Sequence, residues 1–228
     1  MLTQTSHRPS NQSVAREGRL QAPITSRSLD AQIEMMGAVM PFARNVEIYG
    51  TTEPTEYLYK VLSGSVRTYK VLNDGRRQIG AFYLPGDIFG LEAGDEHAFS
   101  AETVVDSKVL VVKRSALVAL AGRDSGVAHE LWTMTARELQ RAQDHIMLLI
   151  KTAQERVAGF LLEMSSRLAA SNKVDLPMSR QDIADYLGLT IETVSRTLTQ
   201  LESAATIALP TSRCIVLRNR GALDDMSS

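Results

Sequence analysis

Residues 178–202 read MSRQDIADYLGLTIETVSRTLTQLE and form two short amphipathic runs that meet at Gly188. A helix-turn-helix needs a small residue where its helices cross and a residue that tolerates positive φ in its turn, and Ala184 and Gly188 stand at those offsets. Apolar residues at helical spacing predict a shared core, and two hydroxyl residues are placed to cap the helices: Ile183, Leu187, Val194 and Leu198, with Ser179 and Thr190. This stretch therefore predicts a helix-turn-helix.

Three polar side chains, Glu192, Ser195 and Arg196, lie near the exposed start of the second helix. A Glu and an Arg four residues apart are usually a solvated ion pair worth a few tenths of a kcal/mol. On a helix that enters the major groove, Arg can instead bond guanine twice, Glu can accept from cytosine, and Ser can contact a base edge or a thymine methyl. Neighbouring polar residues are predicted to contact phosphates and so set register without choosing sequence: Ser179, Gln181, Thr190, Thr193 and Arg213.

The residues that follow this stretch predict a wing. A short run TIAL, a turn at 210–213 and a second run CIVL have the order of a β-hairpin after the second helix. Helix, turn, helix and hairpin in this order are typical of a winged helix-turn-helix.

A long amphipathic helix is predicted before it, over residues 127–168, where proline is absent. Its apolar residues recur mostly at steps of three and four: Leu131, Met134, Leu139, Ala142, Ile146, Leu149 and Ala153. Most such stripes pack on their own domain. About six turns of apolar face exceed what a compact roll covers, which favours a symmetric helix pair between two chains. The residues predicted to face the partner are Leu131, Leu139, Ala142, Ile146 and Leu149.

Residues 46–112 change to short β-rich runs separated by turn signals at 63–64, 73–75, 85–87 and 93–95. Turns at roughly ten-residue spacing predict an antiparallel barrel or roll. The fold class is therefore α+β, with an N-terminal antiparallel β-roll, a long dimerisation helix and a C-terminal winged helix-turn-helix. The predicted boundaries are a flexible arm at 1–28, the roll at 29–125, the dimerisation helix at 126–152 and the DNA-binding domain at 153–228.

Composition narrows the class of protein. The 228 residues are 44% hydrophobic and 22% charged, and no apolar run approaches the roughly 18 residues of a membrane span. A net charge of −1 means that a nucleic-acid surface must be a local patch. The single cysteine and the lack of a secretory pattern predict a cytoplasmic protein. Without a hydrolase, metalloprotease or phosphate-binding motif, we expect no enzyme.

After about residue 29 the chain resembles the CRP/FNR superfamily of bacterial transcription regulators. The stretch QDHIMLLIKTAQERVAGFLLEMSSRL resembles the dimer helix of FNR-type members and its continuation, and Glu192, Ser195 and Arg196 match their E-x-x-S-R signature. The resemblance implies a homodimer that reads a palindrome such as TTGAT-N4-ATCAA, with Glu and Arg on one C·G pair and Ser on the neighbouring T·A step. Ile191 stands where cAMP-type regulators have an Arg, which favours the FNR-type site. Thr197 departs from the usual apolar residue.

The resemblance implies further roles for residues outside the recognition helix. Asp144 matches a position near the dimer seam, where charge tunes association. FNR-like regulators expose patches on the roll to RNA polymerase, and Asp74, in the turn at 73–75, is our candidate for such a contact. A plain solvated hairpin tip is the alternative.

Three sensor chemistries of this superfamily are tested by residues that each would need. An oxygen-labile cluster needs N-terminal cysteines, and the chain has only Cys214. A cyclic nucleotide needs a Glu for its ribose and an Arg for its phosphate, where this chain has Leu91 and Phe99.

Haem would need an axial ligand, but we expect His97, in an acidic loop, and His145, on the long helix, to have ordinary surface roles. Cys214 is a redox candidate, although a lone strand cysteine is more often inert. We therefore predict no cofactor and place the chain nearest the FixK-like subgroup, whose members activate microaerobic, nitrogen-fixation or denitrification genes. The alternative is a ligand- or haem-dependent sensor of the same superfamily that uses the roll pocket.

Overall fold

The computed structural model describes residues 28–169 and 172–227. The predicted arm at 1–28 lies outside the described residues except for Ser28. The hydroxyl of Ser28 accepts from the backbone N–H of Ala31 and caps helix α1 (Leu29–Met36).

An antiparallel β-roll follows α1, as predicted. Its described strands are β1 (Ala38–Phe42), β2 (Glu47–Tyr49), β3 (Tyr57–Ser63), β4 (Val66–Val71), β5 (Arg77–Tyr83), β6 (Ile88–Phe89), β7 (Ser100–Thr103) and β8 (Ser107–Lys113). They form two four-stranded sheets with the orders β1-β8-β3-β6 and β2-β7-β4-β5. All four turn signals fall at strand ends or between strands, so the sequence placed the corners of the roll correctly.

The first strand of the roll lies before the β-rich run that the sequence showed at 46–112, although inside the predicted boundary of 29–125. Strand β1 pairs with β8 from Ala38↔Val111 to Phe42↔Ser107, starting eight residues before that run. It contains Pro41 and is exposed along most of its length. Because β1 is an edge strand, it tolerates a proline and shows no alternation of buried residues, and so it lacks the usual strand signal.

The predicted long helix is two helices. After α2 (Arg114–Ala121), helix α3 runs over Ser125–Leu149 and α4 over Ala153–Arg167. Thr152 starts α4 with a capping box, in which its hydroxyl accepts from the Glu155 N–H and the Glu155 carboxylate accepts from the Thr152 N–H at 2.7 Å. This T-x-x-E pattern satisfies N–H groups that a continuing helix would pair internally, and it marks the break.

The predicted winged helix-turn-helix is confirmed. Its elements are β9 (Lys173–Asp175), α5 (Arg180–Leu187), α6 (Ile191–Ser203), β10 (Ile207–Ala208), β11 (Cys214–Leu217) and α7 (Arg220–Ser227), with the strands ordered β10-β11-β9. Gly188 ends α5 at φ 62° and ψ 38°, the left-handed region. Strand β9 and helix α7 were not predicted from the sequence.

The roll and the helix-turn-helix share one hydrophobic core. Ile79 and Phe82 of β5 belong to the same buried cluster as the apolar faces of α4, α5 and α6. The Phe82 ring lies 5.2 Å from that of Tyr186 and 6.4 Å from that of Phe160, measured between centroids. Packing therefore joins the two units directly, in addition to the chain that connects them.

Replacing Gly188 by Ala tests the turn. A Cβ at residue 188 would meet its nearest neighbour at 3.6 Å, an ordinary contact, so the cost is left-handed backbone strain. We expect urea unfolding at fixed protein concentration to show a loss of about 1–2 kcal/mol. Gly94→Ala is the matched control, because a Cβ there meets no atom closer than 3.7 Å and its φ lies outside the left-handed region. Equal losses in both variants would contradict this account.

Candidate nucleic-acid interface

Helix α6 packs with one face inward and leaves its first turns at the surface. Val194, Leu198 and Leu201 are buried in the core that α6 shares with α4 and α5. Past Gly188, the backbone N–H of Leu189 donates to the carbonyl of Ala184 at 3.0 Å, which closes the turn between α5 and α6. Thr197 occupies a buried core position, and nothing in the structure explains why it is a threonine.

The residues predicted to read bases lie on the outer face of α6. Glu192 and Arg196 are exposed and Ser195 is half-buried. No ion pair joins Glu192 to Arg196 within 28–169 and 172–227, and the Arg196 guanidinium has no hydrogen-bond partner there. Hydrogen bonds from its own backbone N–H and from Thr190 hold the pKa of Glu192 below its usual value. The Arg196 guanidinium is therefore free to meet a ligand, and the Glu192 carboxylate is exposed and paired with no cation in the described chain.

The five residues predicted to contact phosphates surround these side chains, and several already make internal hydrogen bonds. Ser179 caps α5 and its hydroxyl donates to Asp182 at 2.8 Å, while Gln181 donates to Asp185 at 2.7 Å. Thr190 caps α6 by accepting from the Thr193 N–H at 3.2 Å. Arg213, in the turn between β10 and β11, donates to the Pro177 carbonyl at 3.1 Å. Their polar groups border both helix starts.

Arg180 belongs to the same surface, and the sequence analysis missed it. Its guanidinium lies 3.4 Å from the Ser195 hydroxyl, and its buried Nε has no hydrogen-bond partner in the described chain. It therefore links the start of α5 to the outer face of α6, which carries the predicted base contacts. The signal was its position, since it is a cation between two predicted phosphate contacts, Ser179 and Gln181.

Helix α3 has two apolar faces where the sequence predicted one. Leu131 and Met134 pack on the roll core of their own chain, so Leu131 is partly covered and is turned away from the exposed Leu139 and Ile146. Leu139 and Ile146 are 60% and 62% exposed. The step of five residues from Met134 to Leu139 rotates the side chain by roughly 140° around the helix, which changes the face.

The outer face of α3 continues along the helix. Ala142 and Asp144 are exposed with Leu139 and Ile146, and Leu149 is half-buried. Trp132 is also exposed and lies one heptad before Leu139, in the position that Leu131 was predicted to take.

A cavity of about 290 Å³ lies between the roll and helices α3, α4 and α5. Leu91 and Phe99 both line it, and they stand where a nucleotide site would need a Glu and an Arg. The lining also contains two arginines, Arg141 and Arg167, and both donate to the carboxylate of Asp87, at 3.0 and 2.8 Å. Arg141 also pairs with Glu138, and Arg167 with Glu163 at 2.9 Å, so both charges are compensated within the chain.

Of the two histidines considered as haem ligands, His97 is buried, so the expected surface role was wrong for it, and His145 is half-buried. His97 is 2% exposed and stacks on Tyr49 with 3.6 Å between ring centroids. His145 stacks on Tyr186 at 3.9 Å and hydrogen-bonds to its carbonyl at 2.8 Å. Burial lowers the pKa of His145 below its usual value, which favours the neutral ring. Aromatic stacking accounts for the burial of His97 and the half-burial of His145.

The remaining candidates have clear surroundings. Cys214 is buried on β11, and burial and the neighbouring Asp175 raise the pKa of its thiol, which disfavours the reactive thiolate. Asp74 is exposed at the β4–β5 hairpin and pairs with Arg76 at 2.7 Å. In the described part of the chain, no cluster of His, Cys, Asp or Glu could hold a metal ion. The described helices include none that is both long and apolar enough to cross a membrane.

Comparisons with known proteins match both units. Residues 155–226 match the Crp-like helix-turn-helix domain and residues 39–124 the cyclic nucleotide-binding domain. The nitrogen fixation regulation protein FixK of Azorhizobium caulinodans is 53% identical over 86% of this chain and 82% of its own length. FixK of Rhizobium meliloti is 40% identical, covering 78% and 81%. The solved structure of FixK2 from Bradyrhizobium japonicum superposes with a TM-score of 0.81 at 54% identity, covering 84% of this chain and 98% of that one.

Proposed function

Because the chain belongs to the CRP/FNR superfamily of transcription regulators, in its FixK-like subgroup, we propose that it binds a TTGAT-N4-ATCAA-like palindrome as a homodimer and activates transcription. The controlled genes are those of nitrogen fixation and of the related microaerobic and denitrification responses. The protein is proposed to act on DNA in the cytoplasm and to catalyse no reaction.

One observation carries this proposal. Glu192 and Arg196 stand one turn apart on the exposed start of α6, and in the described chain neither neutralises the other. A surface ion pair would have used both groups. Left unpaired, the guanidinium can bond O6 and N7 of guanine while the carboxylate accepts from the amino group of the paired cytosine. The polar residues around both helix starts then supply phosphate contacts.

The dimer is proposed to form through the outer face of α3. Leu139, Ala142, Ile146 and Leu149 recur at heptad-like spacing, and Trp132 extends the stripe by one heptad. Large apolar side chains this exposed on one helix face favour a helix pair about a two-fold axis. Asp144, whose place near the seam was implied only by the resemblance, lies about 140° around the helix from Leu139 and about 160° from Ile146, so the stripe does not include it.

Binding without a small-molecule effector is proposed from the cavity lining. A cyclic nucleotide would need an uncompensated cation for its phosphate, whereas Arg141 and Arg167 are both paired with Asp87. Leu91 and Phe99 add apolar surface where the ribose and phosphate would lie. Burying a phosphate there would leave a charge without a partner.

One observation favours a second candidate, a sensor of a neutral ligand. The hydroxyl of Tyr49 is buried, lines the same cavity and has no hydrogen-bond partner in the described chain. Burial raises its pKa, so the hydroxyl stays a neutral donor. Haem is the less supported form of this candidate, because His97 does not line the cavity and His145, which does, is stacked on Tyr186 and bonded to its carbonyl.

RNA polymerase is the proposed second partner, through the β4–β5 hairpin. Asp74 is our candidate contact because it is exposed at the tip of the roll and bonded only within that hairpin, to Arg76.

Selection from a randomised duplex library tests specificity. Wild type should retain the palindrome. We expect Arg196→Ala to lose roughly 1 to 3 kcal/mol per half-site and to relax preference at one C·G pair, because a bidentate contact is lost. Thr199→Ala, an exposed change farther along α6, is the control and should leave preference intact. If Arg196→Ala keeps the wild-type preference, Arg196 does not read a base.

Sedimentation tests the dimer. We expect Ile146→Glu to give monomers and to lose palindrome binding, because each chain would bury a charge at the two-fold axis. Ile146→Leu keeps an apolar side chain of the same size and should remain dimeric. A glutamate variant that sediments as a dimer would exclude this face of α3.

Titration with cAMP tests effector independence. We expect no change in DNA affinity or melting temperature, because the cavity offers no free cation. A melting temperature that rises with cAMP concentration, as mass action requires for a ligand of the folded state, would show that the cavity is a nucleotide site.

A further inference from the structure

Two arginines of the roll hold the first helix of the helix-turn-helix through its aspartates. Arg67 Nη1 on β4 lies 3.0 Å from Asp182 Oδ1 on α5, and Arg77 Nη2 on β5 lies 2.6 Å from the same oxygen. Arg77 Nε also donates to Asp185 Oδ2 at 2.7 Å. We call these four residues the roll–helix clamp, and we propose that Arg67 and Arg77 are positioning residues for DNA binding, which orient the reading helix without touching DNA.

The clamp is buried, which makes it strong enough to fix an orientation. Arg67 and Asp182 are each 5% exposed, and Glu102 on β7 binds the other side of Arg67 at 2.9 Å. Burial alone would raise the pKa of Asp182, but the Ser179 N–H and the two guanidinium groups hold it below its usual value. Removing one partner while the site stays closed would leave a buried charge without compensation, so each side chain of the clamp is needed to hold this arrangement.

The same carboxylates reach the proposed phosphate contacts. Asp182 Oδ2 accepts from the Ser179 N–H at 3.0 Å and from its hydroxyl at 2.8 Å. Asp185 Oδ1 accepts from Gln181 Nε2 at 2.7 Å. One oxygen of each aspartate therefore faces the roll and the other orients a side chain at the start of α5. Each aspartate of the clamp therefore bonds both an arginine of the roll and a proposed phosphate contact at the start of α5.

The clamped arrangement leaves the reading face open. Glu192 and Arg196 are exposed while α5 is held against the roll, so the contact does not cover the residues proposed to read bases. A clamp that blocked DNA would bury them. This inference rests on the proposed function and deepens it, since a direct bond between roll and helix fixes the orientation that an effector would otherwise have to select.

Asp185→Asn is the decisive variant because simple electrostatics predicts the opposite result. Removing a negative charge near DNA should tighten binding, whereas loss of the clamp should weaken it. We expect Asp185→Asn and Arg77→Gln each to lower affinity for the palindromic duplex roughly ten-fold, as when the competent fraction falls to about a tenth. The double variant should lose no more than about two-fold beyond either single variant, because both remove one interaction.

Two readouts separate positioning from other roles. If Arg77 contacted a phosphate directly, Arg77→Gln would flatten the slope of log affinity against log salt by about 1, whereas a positioning role leaves that slope unchanged. Asp95→Asn is the control, since it removes an exposed carboxylate of the roll in the turn at 93–95, which has no proposed role, and it should keep wild-type affinity. If Arg77→Gln melts below the assay temperature, Arg77→Lys replaces it. Because lysine keeps the positive charge, this variant should lose less than the ten-fold affinity expected to be lost in Arg77→Gln.

The outcomes are distinct. Wild-type affinity or tighter binding in Asp185→Asn overturns the inference, and tighter binding in both single variants would mean that the clamp inhibits. A flattened salt slope for Arg77→Gln, with Asp185→Asn unchanged, would make Arg77 a phosphate contact. Failure of wild type itself to bind the palindrome would refute the proposed function and not the clamp.

Discussion

The buried carboxylate of Asp182 is the interaction on which both units of the molecule depend. One of its oxygens accepts from two arginines of the roll, and the other closes the capping box that starts α5 with Ser179. A buried charge that loses its partners costs about 3–5 kcal/mol, so this residue ties the start of the helix-turn-helix to the attachment of that unit to the roll. The apolar packing of Phe82 on Tyr186 lies in the same interface and supports the same orientation.

Helix α3 shows how one element serves two surfaces. Its inner face carries Leu131 and Met134 to the roll core and then Arg141 and His145 to the cavity, where both are bonded within the chain. Its outer face exposes Leu139 and Ile146. Because the inner face is already satisfied by the chain's own residues, the outer face is free for a second copy of the chain. The proposed dimer and the proposed effector independence therefore depend on opposite sides of the same helix.

Asp87 has a similar role in the cavity. It follows the turn at 85–87 and accepts from Arg141 of α3 and Arg167 of α4, so it joins the roll to both helices. A phosphate in this cavity would have to compete with that carboxylate for the same two cations. In this protein, ion pairs between its own side chains link the roll to the helices. This is the arrangement expected where no ligand is needed to orient the helix proposed to read bases.

The sequence by itself determined the local structures. The turn at Gly188, the two helix caps and the apolar faces of α5 and α6 depend on contacts within a few residues. The turns of the roll and the exposure of Glu192 and Arg196 depend on such local contacts as well. The helix break at Thr152 also has a local signal, its capping box with Glu155. The apolar spacing continues through this break, and for that reason the sequence predicted one long helix. Only the tertiary structure decided which face of α3 Leu131 takes, that His97 is buried, and that Arg67 meets Asp182 across 115 residues. Charged residues at such positions are usually solvated, and no local pattern distinguishes a buried ion pair from two separate surface charges until folding brings its members together.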